Sequence, residues 1–218
     1  MRFSRFQLTL TVLVFSLVLA IPAFANSVQM TYVGHGGATG QGGSPYVGYP
    51  YYVSINGGSP TALMCTSFDN SQSLGQSWTA TATPFLQGIS KSMFGPAMTL
   101  DYEAAGLIFK SMLSGRLNAT TAQWAIWGLF SSNAANSAFF LNHPDFAAID
   151  ATFLAIAGSA PASTFNGLIL YTPLNGQPGA GPQEFIGYSA VPEPSSLLLM
   201  GTGLIGLAGT IRRKLAKA

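Results

Sequence analysis

Two apolar stretches, each tied to a short basic cluster, take the ends of this chain out of any globular fold and leave the middle to fold alone. Arg2 and Arg5 precede an apolar run from Leu8 to Ile21, Pro22 breaks it, and Ala23-Phe24-Ala25 offers small residues for cleavage. That order reads as a secretory signal over residues 1–25, expected to be removed on export. At the other end Val191-Pro192-Glu193-Pro194 leads into an apolar stretch from Leu197 to Ile211, closed by Arg212, Arg213 and Lys214. As a helix that stretch rises about 22 Å, short of a ~30 Å hydrocarbon core, which fits a transient membrane stop. The basic cluster is expected to stay on the cytoplasmic side.

Between these ends, residues 26–190 are enough chain for one domain with a real core and too little for two. Only 7% of the whole chain is charged while 48% is hydrophobic, a balance opposite to that of disordered chains. The middle carries three cations, Lys91, Lys110 and Arg116, against six acids, so the basic pI belongs to the ends. Three scattered cations make no phosphate-neutralising stripe, and nucleic acid is not an expected partner. The single cysteine, Cys65, allows neither an internal disulfide nor a cysteine-rich zinc site.

The pattern along the middle is strands, then helices, then strands. Val28 to Val33 reads as a strand, followed by a Gly-rich stretch through Gly43 that lacks a phosphate-loop ending and reads as a connector. Tyr46 to Ile55 and Ala62 to Phe68 form a predicted hairpin across Asn56-Gly57-Gly58, and Trp78 to Thr83 makes a further strand. Helical periodicity then takes over. Thr99 is a predicted cap for one helix ending before Gly115, Thr120 or Thr121 for a second, and Pro144 opens a third that runs to Gly158. Phe165 to Tyr171 and Glu184 to Tyr188 read as closing strands. The expected fold is a single α+β domain whose N- and C-terminal strands share a sheet or barrel around a central helical insertion.

Enzyme chemistry finds little purchase. Neither His35 nor His143 stands near a nucleophile-elbow pattern, and His143-Pro144-Asp145 reads as helix-start chemistry better than as a metal site. The six acids, Asp69, Asp101, Glu103, Asp145, Asp150 and Glu184, include no spacing that demands a catalytic pair and equally suit a solvated surface. Asn118-Ala119-Thr120 fits a glycosylation acceptor weakly. No metal and no cofactor is implied.

Two resemblances add to this reading. Pro192-Glu193-Pro194, the apolar stretch and the arginine-rich end resemble the tripartite PEP-CTERM sorting signal of Gram-negative bacteria over residues 191–217. That resemblance implies recognition by an exosortase-type membrane protease, loss of the tail, and delivery to the cell envelope or an extracellular matrix. Separately, Thr121-Ala122-Gln123-Trp124-Ala125-Ile126-Trp127 is similar to the T-Q-x-A-I-W block of bacterial surface thioester domains, with Cys65 upstream of it. Pro182-Gln183-Glu184-Phe185-Ile186 resembles the glutamine block of the same family.

By that resemblance Cys65 and Gln183 are the candidate thioester pair, with Gln123 as a supporting or alternative glutamine. Trp124, Trp127, Phe185 and Tyr188 are the candidate shell that keeps water out. The function implied is a covalent adhesin that links once to an amine or hydroxyl on a surface polymer or protein, which is binding and not enzymatic turnover. The alternative is a passive structural or polysaccharide-matrix protein in which Cys65 is a small buried hydrophobe.

Overall fold

The computed structural model describes residues 26–36 and 48–189. The signal, the sorting tail and most of the Gly-rich connector lie outside the described residues. Six strands, β1 (Asn26–His35), β2 (Tyr51–Ile55), β3 (Pro60–Cys65), β4 (Ser77–Pro84), β5 (Leu168–Pro173) and β6 (Phe185–Tyr188), close into an antiparallel barrel in the order β1-β2-β3-β6-β5-β4. Closure leaves no open sheet edge, and it places the last strand between β3 and β5. The β2–β3 turn forms as its Asn-Gly sequence dictates. Asn56 and Gly57 both take left-handed backbone angles, φ 52° and 72°, which match the twist of the flanking strands.

Period-two alternation sorts side chains between two cores. Met30, Tyr51, Val53, Leu63, Cys65, Ala80 and Phe185 form one buried cluster that fills the barrel, while Met64, Leu170 and Ile186 on alternate positions join a second cluster with the helices. Those helices lie between β4 and β5: α1 (Phe85–Gly88), α2 (Thr99–Leu113), α3 (Ala119–Phe130), α4 (Ser132–Ala135), α5 (Ala138–Leu141) and α6 (Pro144–Ile156). Helix α3 serves both cores. Its Ala122, Ala125 and Ile126 pack in the helical cluster, and Trp124 and Trp127, one turn apart, join the barrel cluster with Cys65.

The helix starts differ in detail from those read off the sequence. Asn118, not Thr120 or Thr121, caps α3: its side chain accepts from the Thr121 N–H at 2.8 Å. That occupies the one side chain that fitted a glycosylation acceptor. Thr99 is the first residue of α2 and its hydroxyl donates to the Pro96 carbonyl at 2.6 Å, closing a short 3-10 turn rather than capping the helix.

Between α2 and α6 two half-buried carboxyls, Asp101 and Asp150, lie within electrostatic reach of each other. Asp150 sits so near α3 that a Cβ at Gly128 would lie 2.8 Å from its Oδ2. Burial, and then the charge of Asp101, push the Asp150 carboxyl up to about 8. A folded-state value above the unfolded one means the native state holds the extra proton, so this part of the stability is present below about pH 4 and is lost as pH rises toward 8. Asp150→Asn is therefore expected to stabilise the domain at pH 8 by on the order of 1–2 kcal/mol, the full shift being discounted for partial solvent screening. The same variant should leave stability at pH 4 unchanged. Urea midpoints at the two pH values check it.

Candidate functional site

Cys65 is the last residue of β3 and pairs directly with Phe185 of β6, so the two strands deliver segments distant in the chain to one place. Beyond Cys65 the ladder continues for one step, the Thr66 N–H donating to the Glu184 carbonyl at 3.0 Å. The Ser67 hydroxyl then accepts from the Glu184 N–H at 2.9 Å and ends the pairing. This is why β3 stops short of the strand end expected at Phe68.

Gln183 lies just before Glu184, on the same side of the chain as Phe185 by alternation. It is 6% exposed. Its Nε2 donates to the Asn70 carbonyl at 2.9 Å and to the Ser67 carbonyl at 3.5 Å, and its Oε1 is buried without a hydrogen-bond partner. The Cys65 thiol donates to the same Ser67 carbonyl at 3.6 Å. Thiol and amide, both removed from water, thus converge on one oxygen.

The surroundings keep the thiol protonated. Burial pushes Cys65 up to about 12, against hydrogen bonds from Trp127 and Ser67 that pull it down. The Tyr51 hydroxyl is hydrogen-bonded to both Gln183 and Cys65, and burial raises it well above its ordinary value. Gln123 is fully buried on α3 and its Nε2 donates to the Cys65 carbonyl at 2.7 Å, tying the helix to the end of β3. Its contact is with the backbone of Cys65, a positioning role that leaves Gln183 as the glutamine whose side chain shares the thiol's own acceptor.

The four aromatic residues expected around the pair divide by burial. Trp124, Trp127 and Phe185 are buried in the barrel cluster. Tyr188 is 47% exposed and shields nothing: it lies three residues after Phe185, so the alternation of β6 turns it outward. Tyr51, Phe68 and Trp78 complete the shell in its stead. Tyr51 packs edge-on to Phe185 at 5.5 Å, Trp78 stacks on Phe185 at 6.2 Å, and Phe68 meets Trp127 at 5.1 Å. Asn70 is a further residue the sequence did not single out. Its Nδ2 donates to the Gln177 and Ala180 carbonyls, each at 2.9 Å, and so anchors the loop that leads into Gln183.

Glu184 departs from the expectation that the acids solvate a surface. It is fully buried, because four donors converge on it: Tyr102 at 2.5 Å, Thr172 at 2.7 Å, the Met93 N–H at 2.8 Å and Thr66 at 3.2 Å. Burial still raises its carboxyl above the usual range. The other acids do ordinary work nearby, Asp69 accepting from Ser131 and Asn133. His143 lies between Phe139 and Phe146 with Nδ1 2.7 Å from the Phe139 carbonyl, and no group of three His, Cys, Asp or Glu side chains among the described residues is placed to hold a metal.

Residues 190–214 match the PEP-CTERM protein-sorting motif. The motif marks a protein that is exported, passes through the membrane, and is processed there by an exosortase on its way to the cell envelope. No helix among the described residues is long and apolar enough to cross a membrane. Comparison with curated proteins returns no match. Among solved structures, the N-terminal thioester domain of a surface protein from Clostridium perfringens is similar at 11% identity and a TM-score of 0.40, over 75% of this chain and 99% of that one.

Proposed function

We propose that the exported domain is a covalent adhesin built on a thioester between Cys65 and Gln183. The observation that carries this reading is the convergence of a buried thiol and a buried amide on the Ser67 carbonyl, with the amide's own oxygen left without a partner. Buried polar atoms are nearly always satisfied, and an orphaned carbonyl beside a nucleophilic sulfur suits an acyl group poised for transfer. The surrounding aromatic rings supply the second requirement, exclusion of water from an acyl–sulfur bond that would otherwise hydrolyse. A surface amine or hydroxyl admitted to the bond takes the Gln183 acyl group and frees the thiol. The event occurs once per molecule, so the chain binds and does not turn over, and no cofactor takes part.

Intact-mass measurement on the mature protein, freshly isolated from the native host, tests the reading. The expected mass lies one ammonia below that of the sequence, and methylamine restores a free thiol while adding to Gln183. Full sequence mass, no adduct and an unchanged glutamine at position 183 would overturn it in favour of a passive envelope or matrix protein. A deamidated residue 183 in place of the adduct marks a bond that formed and was hydrolysed, and counts for the reading.

A further inference from the structure

Forming an acyl–sulfur bond from an amide requires moving a proton. The thiol must lose one and the departing nitrogen must gain one, and in this site neither exchange has ready help. Burial holds the Cys65 thiol protonated at neutral pH, so preformed thiolate is scarce. The one buried carboxylate close by, Glu184, follows Gln183 directly and so projects from the other face of the strand, where its oxygens are taken by Tyr102, Thr172, Met93 and Thr66. Ser67 also touches the sulfur, yet its hydroxyl is held by the Glu184 N–H and its contact with the Gln183 amide is through the carbonyl, which cannot give a proton to the leaving nitrogen.

One hydroxyl meets both reacting groups. Tyr51 is 5% exposed, faces the barrel interior opposite Leu63, and is fixed by edge contact with Phe185, the residue paired with Cys65. Its hydroxyl is hydrogen-bonded to Cys65 and to the Gln183 amide. We propose, building on the thioester reading above, that Tyr51 is the catalytic proton relay of bond formation. The Cys65 sulfur bonds to the Gln183 Cδ and the Cδ–Nε2 bond breaks. The Tyr51 oxygen takes the thiol proton as its own proton passes to Nε2, ammonia leaves, and the phenol ends as it began. When an amine later attacks the thioester, the C–S bond breaks as the new amide forms, and the same hydroxyl gives its proton to sulfur while taking the one that the attacking nitrogen loses. Each step balances without oxidant or reductant.

Tyr51→Phe keeps the ring and its contact with Phe185 and removes only the relay. The full chain, collected unfolded from inclusion bodies and diluted into refolding buffer, is followed by intact mass against time, beside the wild type and Tyr32→Phe. Tyr32 is a second buried barrel tyrosine, 6.2 Å from Tyr51 by ring centroid, with no part in the relay. Loss of ammonia is expected on the order of 10²-fold more slowly in Tyr51→Phe, the usual worth of a positioned acid–base group, and at the wild-type rate in Tyr32→Phe. Wild-type speed in Tyr51→Phe overturns the relay and leaves the thioester standing. A wild type that never loses ammonia overturns both. A second measurement needs no variant: a relayed neutral thiol gives a wild-type rate nearly flat between pH 6 and pH 9, whereas a tenfold rise per pH unit shows attack by free thiolate and overturns the relay.

Discussion

Replacing Cys65 with alanine is expected to abolish the missing ammonia and the methylamine adduct completely while leaving the domain folded. Cys65 is the only thiol in the sequence, so no residual thioester is expected. The packing cost is small, about 1–2 kcal/mol, because one buried atom is removed from a site already lined by large aromatic side chains. A linked expectation separates the free thiol from the bonded form. The thiol's folded-state value, about 12, lies above its ordinary 9.0, so the native state keeps a proton that the unfolded chain releases. Stability contributed by that proton is complete below pH 9 and is lost as pH rises toward 12, by up to about 1.4 kcal/mol per pH unit. A thioester sulfur carries no proton, and neither does alanine. Methylamine-treated wild type should therefore lose stability more steeply above pH 9 than either untreated wild type or Cys65→Ala. Urea midpoints of the three forms between pH 8 and pH 11 measure the difference, and parallel curves contradict it.

The barrel was legible where local chemistry decides conformation. Asn56-Gly57 can hardly do otherwise than turn, and the alternation of Tyr51, Val53, Leu63 and Cys65 marks one face before any partner strand is known. Pro144 opened α6 for the same kind of reason, its fixed φ suiting the first helical turn. What pairs with what was less accessible. That β1 closes the barrel against β4, and that β6 inserts between β3 and β5, depends on contacts between distant segments that no local propensity encodes.

The site divided along the same line. Cys65, Gln123 and Gln183 stand out as candidates because their flanking residues form recognisable blocks, whereas Tyr51 and Asn70 reach the candidate site from strand and loop positions with no signature of their own. Tyr188 is outward because β6 alternates, which its aromatic side chain does not announce, and Glu184 is buried although a charged residue reads as exposed until its donors are gathered from four separate elements.

Glu184 also carries the largest expected stability effect. Glu184→Ala removes the one acceptor shared by Tyr102, Thr172, Thr66 and the Met93 N–H and leaves a void between β6 and α2. Relief from burying a charge offsets part of this, since burial already raises the carboxyl above its ordinary value. Four stranded donors at roughly 1–3 kcal/mol each outweigh that relief, and a net loss on the order of 3–5 kcal/mol is expected at pH 7. Glu184→Gln keeps the shape but turns an amide donor toward groups that are themselves donors, so it should cost less than alanine and more than nothing. The sign with pH follows from the raised folded-state value. Stability from this carboxyl is complete below its unfolded pKa of about 4.3 and declines as pH rises through the folded one, a slope that Glu184→Gln should flatten. Because Glu184 fixes the residue next to Gln183, both variants should also lower the fraction of protein lacking one ammonia. Urea unfolding paired with intact mass reads the two effects together. A Glu184→Ala protein as stable as wild type would mean that the strand ladder alone holds the start of β6, and that the four converging donors are satisfied by water instead.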